Sequence, residues 1–301
     1  MLKISHLQKN YRGFSLDCSM EVQPGMITGL IGRNGSGKST TFKALLGLIH
    51  PDGGEIEIFG KKAEELKPED KQKLGVVFAD SGFSMYLTAV GVANIMKSIY
   101  PDFDREKFLQ QCRRFNLPTD KKIKEFSTGM KAKFKVLAAL SHKAELLILD
   151  EPASGLDPRA RVEMKEILKQ LQSMGKTVVI SSHILPELAE MCTEVGIINQ
   201  GKLAAQGTVQ EIMRQLTQKR IIYVRPLADV SKTVEILQEM PAVKEITENT
   251  ADLEFVFDGS EEMLAEILKR LVESGIGIVS FREKEGNLEE IFMQVTGGAG
   301  V

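Results

Sequence analysis

No stretch of the 301-residue sequence approaches the roughly 18 consecutive apolar residues of a membrane span, and no apolar N-terminal segment resembles a signal peptide. If the protein works at a membrane, another subunit is expected to hold it there. Cysteine is scarce. Cys18, Cys112 and Cys192 are scattered and form no C-x-x-C, so core thiols in a reducing cytosol are expected rather than disulfides or a metal site. Net charge is almost absent: 39 Lys and Arg against 41 Asp and Glu leave −2, so no overall basic bias points to nucleic acid or an anionic membrane surface. Internal repeats and low-complexity tracts are missing too. What remains, 43% hydrophobic and 27% charged, is an ordinary globular composition, and the length predicts one large domain with a smaller one.

The most informative stretch runs from Ile27 to Leu48. An apolar run (Ile27 to Ile31) reads as a buried strand. Gly32-Arg33-Asn34-Gly35-Ser36-Gly37-Lys38-Ser39 then fills G-x-x-x-x-G-K-S/T, and Phe42, Leu45, Leu46 and Leu48 fall at helical spacing. Gly32, Gly35 and Gly37 let the backbone turn tightly, so successive N–H groups point inward at an anion. The helix that follows aims its positive end at the same point. Lys38 adds a charge for the β- and γ-phosphates, and Ser39 offers Mg²⁺ a hydroxyl. This pattern predicts a nucleotide-phosphate site.

Around it, Leu2 to Leu7 and Phe14 to Val22 read as antiparallel strands with Tyr11 between them. A short strand is expected over Glu55 to Phe59, a polar helix over Ala63 to Lys73, and a strand over Leu74 to Ala79. Helical periodicity from Leu87 to Leu140, broken at Pro101 and Pro118, predicts a helical insertion. β/α alternation resumes with Leu146 to Leu149, Arg159 to Met174, Thr177 to Ser181 and Leu185 to Cys192. Val195 to Ile198 and Lys202 to Ala205 pair across Asn199-Gln200-Gly201. Such alternation predicts a mostly parallel sheet covered by helices. Thr208 to about Lys219 reads as a helix and boundary. Beyond it the order β-α-β-β-α-β matches a small ferredoxin-like α+β unit, followed by a helix around Leu288 to Val295. The expected domains are 1–217, with a helical subdomain at about 87–140, and an accessory 218–301.

Glu145 to Pro152 is an apolar strand ending in two carboxylates. In a parallel sheet the carboxyl ends of strands face the ligand crevice, which would set Asp150 and Glu151 beside the phosphate loop. Asp150 suits the Mg²⁺ shell, and Glu151 is then placed to take a proton from a water attacking the γ-phosphate.

These residues resemble the ATP-binding subunits of ABC (ATP-binding cassette) transporters over about residues 1 to 215. Gly32 to Thr40 match the phosphate loop, Phe126 to Met130 stand where the family has L-S-G-G-Q, and Leu147 to Glu151 match the second acidic motif. Ser154-Gly155-Leu156-Asp157 match the D-loop, His183 the switch histidine, and Tyr11 the aromatic residue on which adenine stacks. The resemblance implies a P-loop, RecA-like α/β ATPase core with an antiparallel β subdomain, and a head-to-tail dimer, of two copies or with a paralogous subunit, that sandwiches two ATP. Each nucleotide, with Mg²⁺, would meet one subunit's phosphate loop and the other's Ser127 and Gly129. His183 would hydrogen-bond the γ-phosphate or attacking water, whereas His6, His50 and His142 keep structural roles.

Two departures stand out. The signature keeps Ser127 and Gly129 but has Thr128 and Met130 for Gly and Gln. Ungapped alignment between Leu74-Gly75 and Leu87-Thr88 puts Ala79 where the family has its Q-loop glutamine, with Asp80 the neighbour that could take over its Mg²⁺ contact. The resemblance implies a cytoplasmic ATPase on the inner face of the cell membrane, driving a separate integral permease and binding no nucleic acid. The C-terminal unit, ending near Asn287 to Phe292, looks like the tail of ABC-2-type bacterial exporters of drugs, antibiotics or peptides. The rival is a soluble ABC ATPase of translation or DNA repair, whose members usually carry tandem cassettes with a basic linker, or a long coiled coil.

Overall fold

A computed structural model describes residues 1–79, 82–184, 188, 191–208, 211–212, 220–249 and 252–283. The chain divides into two compact units, which among these residues span 1–212 and 220–283.

The first unit opens with β1 (Leu2–Tyr11) and β2 (Phe14–Val22), paired antiparallel. Strict alternation from Leu2 and Ile4 would turn His6 inward. Instead His6 takes a φ of 49°, the register shifts between Ile4 and Leu7, and Leu7 is buried. The bulge carries β1 further than its apolar pattern suggests, so Tyr11 is the last residue of the strand rather than part of a connection. β3 (Ile27–Ile31) is buried throughout and feeds α1 (Lys38–Leu45). β4 (Gly53–Ile58) and the two-residue β5 (Lys61–Lys62) follow.

The helix expected over Ala63 to Lys73 does not form as one piece. A 3₁₀ turn covers Ala63–Glu65, and α2 is only Pro68–Lys71. Pro68 has no N–H to continue a helix and holds Lys67 in extended backbone, but it suits the first position of a new one. β6 (Leu74–Val77) ends two residues before Ala79.

The helical insertion consists of α3 (Ala89–Ile99), α4 (Arg105–Arg114) and α5 (Thr128–Leu140), whose first turns are capped by the side chains of Thr88, Asp104 and Ser127. Phe108 and Phe126 meet Phe134 edge-on with ring centroids 5.6 and 5.7 Å away, so these helices share a core of their own. β7 (Leu146–Asp150), α6 (Pro158–Ser173), β8 (Thr177–Ser182), β9 (Glu194–Asn199) and β10 (Lys202–Gly207) complete the unit. The helix expected over Leu185 to Cys192 lies largely outside the described residues.

The ten strands form one sheet in the order β5-β4-β1-β2-β10-β9-β3-β8-β7-β6. β6, β7, β8, β3 and β9 run parallel, while β1, β2, β4 and β5 pair antiparallel, so the sheet is mixed. Ile31 pairs with Ser182 and Asp150 with Ser181, so the carboxyl ends of β3, β7 and β8 leave the sheet at one edge. Cys18 and Cys112 are buried, and burial pushes their thiols up to about 11 and about 12.

The second unit has β11 (Arg220–Pro226), α7 (Val230–Gln238), β12 (Val243–Glu248), β13 (Leu253–Phe257), α8 (Glu261–Glu273) and β14 (Ile278–Glu283). All pairs are antiparallel in the order β12-β13-β11-β14, a ferredoxin-like arrangement. Val224, Phe255 and Phe257 pack with Leu237 and Leu271 of the two helices. The helix expected over Leu288 to Val295 and the expected boundary between 217 and 218 lie outside the described residues, as does most of the helix expected over Thr208 to Lys219.

Candidate active site

The phosphate loop is built to present backbone rather than side chain. Gly35 and Gly37 take φ values of 81° and 114°, which other residues adopt only under strain. Gly32 is required by space: a Cβ there would stand 2.3 Å from Ser36 Oγ and 2.5 Å from Ile198 O. The β9–β10 turn braces the loop from outside, since Gly201 N donates to Ser36 O at 2.9 Å. At the start of α1, Gly37 makes no side-chain cap and the first turn carries no acid, which leaves the helix N-terminus to an anion. Ser36 Oγ is buried without a partner. Arg33, Asn34 and Gly35 are exposed, while Ser39 and Thr40 at the start of α1 are half-buried.

Lys38 is buried, and its Nζ donates to Gly32 O at 2.6 Å and Arg33 O at 3.2 Å. Burial lowers its pKa, opposed by Glu151, whose Oε1 lies 3.5 Å away.

The strand-end carboxylates meet this loop. Ser39 Oγ donates to Asp150 Oδ2 at 2.9 Å, and Ser181 Oγ donates to Asp150 Oδ1 at 2.5 Å. Ser181 also accepts from Glu151 N at 2.9 Å. Glu151 itself sits at a φ of 50°, a conformation that costs a non-glycine residue of order 1 kcal/mol and turns its side chain out of the strand. His183 Nδ1 lies 2.8 Å from Glu151 Oε2. Lys38, Ser39, Asp150, Glu151 and His183 thus form one connected cluster.

Two observations fit a magnesium nucleotide here. The unpartnered Ser36 hydroxyl and side-chain-free helix start suit phosphate, and Ser39 with Asp150 supplies hard oxygen donors side by side. Among the described residues no group of three or more His, Cys, Asp or Glu side chains is placed to hold a metal ion.

The other expected site residues are placed apart from this cluster. Tyr11 is 48% exposed, its ring 6.5 Å from that of Phe14, and Phe14 Cζ would touch a Cβ on Gly37 at 3.1 Å. Tyr11 therefore stands near the start of α1, partly exposed, with Lys9 Nζ 5.9 Å from its ring centroid. Ser127 accepts from Met130 N as the cap of α5, and Gly129 packs so tightly that a Cβ would lie 2.7 Å from Ala160 Cβ on α6. Asp157 caps α6 by accepting from Ala160 N at 2.8 Å. Asp80 lies outside the described residues.

Ser181 was not among the expected site residues. The signal for it is its position at the end of the apolar run Val178 to Ile180, in register with Asp150. Lys133 is a second omission: buried on α5, its Nζ donates to Glu163 on α6 and to Phe115 O at 3.2 Å.

A family model described as "ABC transporter" matches residues 16–154, and one described as "ATP-binding protein DrrA1-3-like, C-terminal domain" matches residues 207–296. The bacitracin transport ATP-binding protein of Bacillus licheniformis is 32% identical over 303 residues, covering 99% of this chain and 98% of that protein. The linearmycin resistance ATP-binding protein of Bacillus subtilis (strain 168) is 30% identical over 308 residues, with coverage of 99% and 98%. Among solved structures, the ATP-binding subunit of an ABC transporter is 28% identical and superposes with a TM-score of 0.64 over 71% of this chain and 92% of that one.

Proposed function

The chain belongs to the ATP-binding subunits of ABC transporters, and on that premise we propose how its residues hydrolyse ATP and what the hydrolysis drives. It is an ATPase of the kind that energises export. The observation that carries the residue roles is the connected cluster in which Ser39 bonds Asp150 and His183 bonds Glu151.

ATP is held by the loop N–H groups and the N-terminus of α1, with Lys38 turning from the Gly32 and Arg33 carbonyls to the β- and γ-phosphates. Tyr11 stacks on adenine. Ser39 and Asp150 would hold Mg²⁺, which when bound would supply positive charge for the nucleotide phosphates. Glu151 takes the proton of the attacking water. Its carboxylate is kept in place by His183 on one oxygen, with Lys38 near the other. His183 also reaches toward the γ-phosphate. In a head-to-tail pair of cassettes, Ser127 and Gly129 at the start of α5, with Asp157 at the start of α6, contact the partner's nucleotide.

No helix among the described residues is long and apolar enough to cross a membrane. The relatives' naming as ATP-binding proteins of transport supports a cargo path in a separate integral permease, with this subunit on its cytoplasmic face. Relatives named for bacitracin transport and linearmycin resistance support an antibiotic or peptide as cargo. Residues 1–217 act as the cassette and 218–301 as an accessory domain. Co-purification of the tagged chain with a multi-span membrane protein, and stimulation of its ATPase in that complex, tests the reading. A chain that hydrolyses ATP only with ribosomes or DNA would contradict it.

A further inference from the structure

α5 runs back along β6 and is fastened to it at three levels. His142, just past the end of α5, has Nε2 2.9 Å from Leu74 O. One turn earlier the backbones touch: a Cβ on Gly75 would meet Ala139 O at 2.5 Å, so no adjustment is available there. The third fastening is of another kind. Lys135 Nζ donates to Ala79 O at 3.1 Å, two residues beyond the end of β6, and its Cε lies 3.2 Å from where a Cβ on Gly82 would be. A lysine side chain thus holds Ala79 by a hydrogen bond and packs its stem beside Gly82.

The location gives this contact a role. Ala79, Gly82 and Lys135 line one cavity of about 580 Å³ with Asp150 and Glu151. The two lower fastenings are close-packed or buried, whereas the upper one is a side-chain hydrogen bond to a carbonyl that lines the cavity. Beyond it, toward the N-terminus, α5 carries Gly129 and the cap Ser127.

We propose that Lys135 is a positioning residue for hydrolysis: its bond to the Ala79 carbonyl holds Ala79 against α5, and so couples the helix that starts at Ser127 to the cavity wall facing Asp150 and Glu151. Lys135 touches neither nucleotide nor water in this role. Its effect is therefore on turnover rather than on ATP binding. The inference rests on the ATPase reading above, so its test has one arm that needs no hydrolysis.

The first arm compares amide exchange of the nucleotide-free full chain with that of Lys135→Met, which keeps the stem over Gly82 and removes the ammonium. Peptides covering residues 76–84 should exchange about tenfold faster in the variant, with peptides from β7 and β8 unchanged. Unchanged exchange at 76–84 overturns the tether, whatever the turnover of the wild type. The second arm measures MgATP binding and hydrolysis by the same chains. Turnover should fall about tenfold with ATP affinity within about twofold, and Lys135→Arg, which restores a long cationic donor, should recover most of it. Equal losses of affinity and turnover, or an arginine variant no better than methionine, would assign Lys135 a merely structural part and overturn the proposal.

Discussion

Ser39 Oγ and Asp150 Oδ2 stand 2.9 Å apart although 111 residues separate them in the chain. The hydroxyl belongs to the first turn of α1 and the carboxylate to the end of β7, and only the docking of that helix on the parallel strands brings them together. Ser39→Ala removes a donor from Asp150 and an oxygen from the proposed Mg²⁺ shell. ATP affinity should fall about tenfold in Mg²⁺ but change little in EDTA. Titration of a fluorescent ATP analogue under both conditions checks it, and an equal loss in each would take Ser39 out of the metal shell.

Lys38 carries a cost in the fold that its function requires. Burial holds its folded pKa below the ordinary value, with Glu151 opposing. Between the lowered and ordinary values the unfolded chain binds more protons, so this group makes stability rise with pH and detracts from it at neutral pH. Lys38→Met should leave the nucleotide-free chain at least as stable at pH 7 while lowering ATP affinity more than about tenfold. Chemical denaturation and nucleotide titration of the same variant check both halves. A marked loss of stability would show that Lys38 serves the fold instead.

Lys133 and Glu163 join α5 to α6 beside the close contact of Gly129 with Ala160. The Lys133 hydrogen bond holds the Glu163 carboxyl below the usual glutamate range. A lowered carboxylate pKa contributes stability above its unfolded value, lost as pH falls through the folded one. Glu163→Ala leaves the Lys133 ammonium buried and short of an acceptor and should cost about 2 kcal/mol at pH 7. Denaturant curves against pH should show the difference between variant and wild type shrinking toward acid. A constant difference would exclude the charge pair as its source.

How much of this was readable in advance depends on range along the chain. The phosphate loop is eight consecutive residues, and Asp150 and Glu151 directly end an apolar run, so local pattern suffices for both. Pro68 was also in plain view, and it divides a stretch whose composition alone reads as one helix. The bulge at His6 is different, because it interrupts both ladders of β1 while leaving Leu7 buried, and has no local signature. Ser181 beside Asp150 depends on the register of β7 with β8, and Lys135 beside Ala79 on the rotation of α5 over β6. Neither is fixed by spacing within one segment.

The accessory domain should contribute nothing to nucleotide binding. Among its described residues, four basic groups are committed within the unit: Arg220 to Glu283, Arg225 to Asp252, Lys244 to Asp258 and Arg270 to Glu239. A chain ending near Gln218 should bind ATP within about twofold of the full chain, with dimerisation or coupling weakened instead. Calorimetry and sedimentation of the truncated chain check this. A large loss of ATP affinity in a folded truncate would contradict it.

The central claim is that Glu151 is the base for the attacking water, held by His183 at 2.8 Å. Its most direct test is single-turnover ATP hydrolysis by full-length Glu151→Gln, alongside ATP binding. The side chain keeps its size and loses its ability to accept the proton, so hydrolysis should slow about 10²–10⁴-fold while ATP remains bound. In the proposed sandwich turnover separates the two cassettes, so the variant should also accumulate as an ATP-bound dimer. Hydrolysis at the wild-type rate would contradict the account.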